Sequence, residues 1–218
     1  MFEIIPSPGT ENKDWSDIEK KIDLVRPFVK TIHIDVVDGV YAPNTTFADP
    51  SPFAKITKEF VCEVHLMTDE PINHLKKWAD VGFQRFIGQI ERMSDQVEFV
   101  AQAQLLGDVV LALDKQSSVD DLHVPLDDLD GLLVMTIQAG FSGQKFEEVL
   151  LEKVKKLREQ TALPIEVDGG INDQSILTAA KAGANRFVAT SFLFNTDTPE
   201  KQFKLLQDKL WAVDLPKP

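Results

Sequence analysis

Cysteine is nearly absent: the 218-residue chain has one, Cys62, so no disulfide can form within it. That suits a reducing compartment, and a cytoplasmic location is the expectation. Long apolar runs are missing too, none approaching the roughly 18 residues needed to cross a bilayer. The opening Met1-Phe2-Glu3-Ile4-Ile5-Pro6 lacks the basic flank and cleavage-type segment of an export signal. Basic residues are in deficit, 23 Lys plus Arg against 35 Asp plus Glu, for a formal charge of −12. A field of that sign opposes nucleic acid and anionic membrane as partners. It leaves room for a small phosphorylated ligand, because backbone amides and a cation can create a local positive potential. No Gly/Ser linker or low-complexity tract divides the chain, which reads as one domain over residues 1–218.

What the chain does have is a repeating apolar pattern. Eight short runs read as strands, near Phe2–Pro6, Thr31–Val36, Phe60–Leu66, Arg85–Ile90, Val109–Leu113, Gly131–Ile137, Pro164–Asp168 and Asn185–Thr190. Amphipathic stretches between them predict helices over Trp15–Val29, Glu70–Val81, Ser94–Leu106, Phe146–Glu159, Asp173–Ala182 and Pro199 to about Val213. The second and fifth crossovers are thin, with space for two helical turns between Pro50 and Lys58 and a Pro125-interrupted loop over Ser117–Asp130. Strand-helix alternation implies parallel strands with crossover helices, and eight units in this length fit a closed (β/α)8 TIM barrel. An open doubly wound sheet would place a glycine-rich phosphate turn after the first strand. Here that turn is Ser7-Pro8-Gly9-Thr10-Glu11, without the pattern.

Three strands end in ionisable pairs: His33-Ile34-Asp35, Glu63-Val64-His65 and Glu166-Val167-Asp168. Residues i and i+2 of a strand share a face, so each pair projects to one side. Buried there without compensation, each ion would cost on the order of several kcal/mol. Two histidines and two aspartates, His33, Asp35, His65 and Asp168, suit one Zn²⁺, Fe²⁺, Mn²⁺ or Co²⁺ and leave positions open for substrate oxygens. The deeper Glu63 and Glu166 read as packed below them. His74, in a helical segment, and His123, among loop aspartates, read as solvated.

Gln138-Ala139-Gly140-Phe141-Ser142-Gly143-Gln144-Lys145-Phe146 joins the sixth strand to a helix, and its glycines allow close backbone approach to an anion. Asp168-Gly169-Gly170, with a helix opening at Asn172, adds amides at a helix N-terminus, a seat for phosphate. Trp15, Trp78 and Trp211 read as packing on the barrel's outside, while Met67 and Met135 at strand ends could wall the site.

The segments His33-Ile34-Asp35-Val36-Val37-Asp38-Gly39 with Pro43-Asn44, Val64-His65-Leu66-Met67, Leu133 to Phe146, Glu166 to Ile171 and Ala184 to Phe194 occur in an order that resembles the ribulose-phosphate 3-epimerase family. The resemblance implies a ribulose-phosphate-binding TIM barrel and an epimerase that inverts C3 of a ketose phosphate, D-ribulose 5-phosphate to D-xylulose 5-phosphate. It places the metal ligands on His33, Asp35, His65 and Asp168, the acid/base pair on Asp35 and Asp168, and a substrate-contacting serine on Ser7. The phosphate cradle falls on Gly140, Ser142, Gly143, Gly169, Gly170, Thr190 and Ser191. A homo-oligomer is also in keeping with the family. Departures are local: Gln138-Ala139-Gly140-Phe141-Ser142-Gly143 replaces Asn-Pro-Gly-Phe-Gly-Gly, Thr190 replaces a glycine, Val37 a methionine and Gln89 a histidine. They leave open another substrate, such as allulose 6-phosphate, or a non-catalytic sugar-phosphate or metal binder. An aldolase or decarboxylase of the hexulose-phosphate synthase kind would need a lysine where Val37 stands.

Overall fold

The computed structural model describes residues 2–212; Met1, the expected helix end near Val213 and the rest of 213–218 lie outside them. Eight parallel strands form a nearly closed barrel: β1 Glu3–Pro6, β2 Thr31–Val37, β3 Val61–Met67, β4 Arg85–Gln89, β5 Asp108–Leu113, β6 Gly131–Met135, β7 Ile165–Asp168 and β8 Arg186–Ala189. The ladder order is β1-β8-β7-β6-β5-β4-β3-β2, so every neighbour but one is joined by backbone pairing. Side chains span the seam between β1 and β2, where Thr31 Oγ1 donates to Glu3 Oε1 at 2.5 Å near one end and Ser7 Oγ donates to Asp35 Oδ2 at 2.6 Å at the other.

Alternation along the strands sorts side chains into two compartments. Ile32, Ile34 and Val36 of β2 face outward into a large core with α1 Trp15–Val25, α2 Leu75–Ala79, α3 Gln96–Gln104, α4 Leu151–Gln160, α5 Ser175–Ala182 and α7 Pro199–Trp211. Val37, Met67, Ile87, Val110, Ala112, Leu133 and Met135 form the apolar part of the interior.

Helix ends depart from the periodicity where local chemistry intervenes. The first helix stops at Val25 rather than Val29: Arg26 keeps helical dihedrals and donates to Ile22 O, but Pro27 has no amide hydrogen to carry the ladder on. The Glu70–Val81 segment opens with Glu70 in left-handed geometry (φ 48°) and a 3-10 turn over Pro71–His74, leaving five residues for α2. The Ser94–Leu106 segment begins at Gln96, where Asp95 Oδ1 caps the amide of Glu98 at 3.0 Å. The helix expected from Phe146 begins at Leu151 after a 3-10 turn over Glu148–Leu150, and α5 begins at Ser175 rather than Asp173. A short helix after β8, α6 Ser191–Phe194, has no counterpart in the periodicity. The thin crossovers hold only 3-10 turns, Ser51–Ala54 and Ile56–Lys58 in one, Val119–Asp121 and Leu126–Asp128 in the other.

Two packing expectations need correction. Trp78 is fully buried against Phe53 and Phe83 and Trp15 meets Phe53 edge to face, but Trp211 is 87% exposed at the end of α7 and covers nothing of the barrel. His74, the last residue of the 3-10 turn, is half-buried with Nδ1 shut off from solvent, and burial lowers its proton affinity. His123 is exposed.

Candidate active site

The ladder register brings the polar pairs together. Asp35 lies beside His65, and one layer deeper His33 lies beside Glu63, which lies beside Arg85. Asp168 reaches the same space from β7, three strands away from β2 around the barrel. Ligand atoms of His33, Asp35, His65 and Asp168 all fall within 4.8 Å of one another, in buried side chains. Asp35 Oδ1 is 3.3 Å from both His33 Nε2 and His65 Nδ1, and His65 Nδ1 is 3.8 Å from Asp168 Oδ2.

These separations test whether a cation fits. Two ligands at about 2.1 Å from a tetrahedral centre stand about 3.4 Å apart, close to the 3.3 Å spacings here. Both ring nitrogens of His65 are buried without a hydrogen-bond partner, a deficit that coordination would remove. The four residues therefore have the composition and spacing to hold a divalent cation.

The charges of this group are interlocked. Burial disfavours charge on His33, yet Asp35, Glu166 and Glu63 raise its proton affinity well above the ordinary imidazole value. Burial likewise opposes ionisation of Asp35, but the charge and hydrogen bond of His33, with the His65 imidazole close by, hold its pKa well below the usual carboxylate range. Asp168 goes the other way, raised well above its ordinary value by burial and by the negative charge of Asp35. Glu166 is raised to about 7 by burial and Glu63. The two aspartates are thus driven apart, one to release and one to keep a proton.

Above the group opens a cleft whose lining includes Asp35, Asp168, Met67 and Met135. Gly140, Ser142, Gly143, Gly169, Gly170, Thr190 and Ser191 all face it. Ser7 does not line it; fully buried, it accepts from the Gly9 amide at 3.1 Å and donates to Asp35. Thr10, in the turn after β1, does line it and was not legible as a site residue. Among the described residues the lining contains no Lys or Arg, so an anion there would meet amides and hydroxyls.

The loop after β6 is drawn across this cleft. Ser142 N donates to Thr10 Oγ1 at 2.7 Å, Thr10 N donates to Ser142 Oγ at 2.9 Å, and Asn44 Nδ2 donates to Gly140 O at 2.9 Å. Gly170 is left-handed (φ 66°), and a Cβ there would come within 2.7 Å of the Phe146 amide nitrogen, so glycine is what lets the β6 and β7 loops meet. The helix start expected at Asn172 is already capped: Asn172 Oδ1 accepts from the amides of Gln174 and Ser175 at 2.9 and 3.0 Å. Those two amides are spent on the turn, and the phosphate reading loses them.

Fold and site together define a TIM-barrel enzyme with a candidate metal centre at the C-terminal strand ends, where barrel active sites form. Among solved structures the chain resembles KGPDC from Streptococcus mutans, with a TM-score of 0.75 and 13% identity over 99% of this chain and 100% of that one. It also resembles 3-hexulose-6-phosphate synthase from Salmonella typhimurium, with a TM-score of 0.70 and 13% identity over 96% and 98%. At such identities these show the fold alone. A sequence profile of the Ribulose-phosphate 3 epimerase family matches residues 8–194. A ribulose-phosphate 3-epimerase of Schizosaccharomyces pombe is 31% identical over 97% of this chain and 96% of its own. The cytoplasmic isoform of Oryza sativa subsp. japonica is 31% identical over 92% of each. The chain belongs to the ribulose-phosphate 3-epimerase family, a family of carbohydrate isomerases.

Proposed function

We propose that this chain, as one barrel domain, inverts C3 of a phosphorylated ketose, converting D-ribulose 5-phosphate to D-xylulose 5-phosphate with Asp35 and Asp168 as the two acid/base groups. The observation that carries the reading is the pair itself: two carboxylates from strands apart on the barrel, both facing one cleft. Inversion needs one group to take the C3 proton and another to deliver a proton to the opposite face. A proton next to a ketone is too weakly acidic for a free carboxylate to remove quickly, so developing negative charge must be stabilised. A divalent ion (Zn, Fe, Mn or Co) held by His33, Asp35, His65 and Asp168 would supply that stabilisation as a Lewis acid on the substrate's oxygens.

The chain's own residues do the rest. Ser7 fixes one oxygen of Asp35, leaving the other toward the imidazoles. Met67, Met135, Ile137 and Val188 line the cleft with apolar surface that excludes water from the reacting carbon. Gly140, Ser142, Gly143, Gly169, Gly170, Thr190 and Ser191 take the phosphate end.

The test is exchange of the C3 proton of ribulose 5-phosphate with solvent deuterium, followed with xylulose 5-phosphate formation. The cation-loaded chain is expected to do both. Asp168→Asn should lose about 10²–10⁴-fold in rate while keeping its fold. Neither exchange nor product from the wild-type chain would overturn the substrate assignment.

A further inference from the structure

His33 has two ring nitrogens with different company. Nε2 faces Asp35 Oδ1 at 3.3 Å, on the side of the proposed cation. Nδ1 faces downward, 2.7 Å from Glu63 Oε1. The other oxygen of Glu63 is gripped by the Arg85 guanidinium, which also lies 3.5 Å from Asp108. These four residues are successive ladder partners on β2, β3, β4 and β5, so one row of the barrel carries imidazole, carboxylate, guanidinium and carboxylate in line. His33 and Glu63 are fully buried and Arg85 nearly so.

A second group of metal-ligand types, His33, Glu63 and Glu166, occupies the same depth. Its geometry belongs to a proton rather than a cation. Two ligands of one small ion stand about 3.4 Å apart, whereas the 2.7 Å between Nδ1 and Oε1 is a direct hydrogen bond. Glu166 Oε1 sits 3.4 Å from the same nitrogen and makes no hydrogen bond.

We propose that Glu63, clamped by Arg85, is the positioning residue of the centre: it keeps a proton on His33 Nδ1, so that Nε2 presents its lone pair to the cation. This rests on the metal reading above. A neutral imidazole carries one N–H, and the acceptor at one nitrogen decides which nitrogen is free to ligate. A carboxylate acceptor also increases the electron density at the ligating nitrogen. Arg85 completes the arrangement by holding Glu63 in place through its second oxygen. Glu63 touches no substrate in this arrangement and acts through His33.

The experiment measures Zn²⁺ affinity of the full chain by chelator competition, together with the visible spectrum of the Co²⁺ form. Glu63→Gln keeps the size and the acceptor oxygen but loses the charge, and should bind about tenfold more weakly. Glu63→Ala should lose up to about 100-fold, and both should shift the Co²⁺ bands, which a purely structural role would leave in place. If Glu63→Ala does not fold, Glu63→Gln decides alone. Affinities within twofold of wild type with unshifted bands would overturn the proposal. So would two ions per wild-type chain with one lost in Glu63→Gln, which would make Glu63 a ligand. A wild-type chain that binds no ion would instead overturn the metal reading beneath it.

Discussion

Glu166 makes the buried charge network measurable in a simple way. It is fully enclosed in the barrel, neither of its oxygens finds a hydrogen-bond partner, and the negative Glu63 is its neighbour. Burial and that neighbour together raise its pKa from 4.5 to about 7. The folded chain therefore binds a proton that the unfolded chain releases across this window. For a carboxyl with a raised pKa, the stabilisation is fully present below the unfolded value and is lost as pH rises through the folded value. At 1.36 kcal/mol per pH unit, the interval from 4.5 to about 7 corresponds to roughly 3 kcal/mol. Glu166→Gln carries no titrating proton, and its amide retains most of the shape. Urea unfolding with a chelator present, at intervals from pH 4.5 to 8, should show the wild-type chain losing roughly 3 kcal/mol of stability relative to the variant. A stability difference that stays flat across that range would refute the reasoning, because it would mean that Glu166 meets solvent or a partner that keeps it ionised when folded.

Two further outcomes follow from side chains that hydrogen-bond around the cleft. Ser7→Ala strips a 2.6 Å donor from a buried carboxylate and should lower unfolding free energy by about 1.5–3 kcal/mol in urea titrations; a loss under about 0.5 kcal/mol would show that water replaces the hydroxyl. Asn44→Ala releases the Gly140 carbonyl and should loosen the loop over residues 138–146, read as faster amide hydrogen exchange there and a higher KM for the sugar phosphate, with the barrel strands unchanged.

Much of the architecture was legible because a barrel interior imposes a period of two. His33, Asp35 and Val37 alternate with Ile32, Ile34 and Val36, and both sets end where the pattern put them, one inside and one against the helices. The four candidate ligands were visible for the same reason, each at an inward position of its strand, although only Asp168 is the last residue of one: β2 and β3 run two residues past Asp35 and His65, and His33 lies a layer deeper. What the pattern could not show was lateral register. The His33–Glu63–Arg85 row exists because β2, β3 and β4 pair with no stagger at that layer, and Arg85 has no marker in the sequence that distinguishes it from a surface arginine. Thr10 escaped because its role depends on Ser142, 132 residues away. Asn172 looked like the opening of a helix that could receive phosphate, but an asparagine there satisfies its own turn first. Trp211 looked like cover for the barrel because its helix is amphipathic, yet the apolar stripe that packs runs through Phe203, Leu206 and Leu210, with Trp211 beside it.

The central claim is that one cation is shared by two imidazoles and two aspartates at the mouth of the barrel. Anomalous diffraction at the absorption edge of the bound metal tests it most directly. One peak per chain about 2.0–2.2 Å from a nitrogen of His33 and of His65 and from oxygens of Asp35 and Asp168 is the expected result. A cation-soaked crystal with no peak inside the barrel, or with one that leaves out either aspartate, would contradict it.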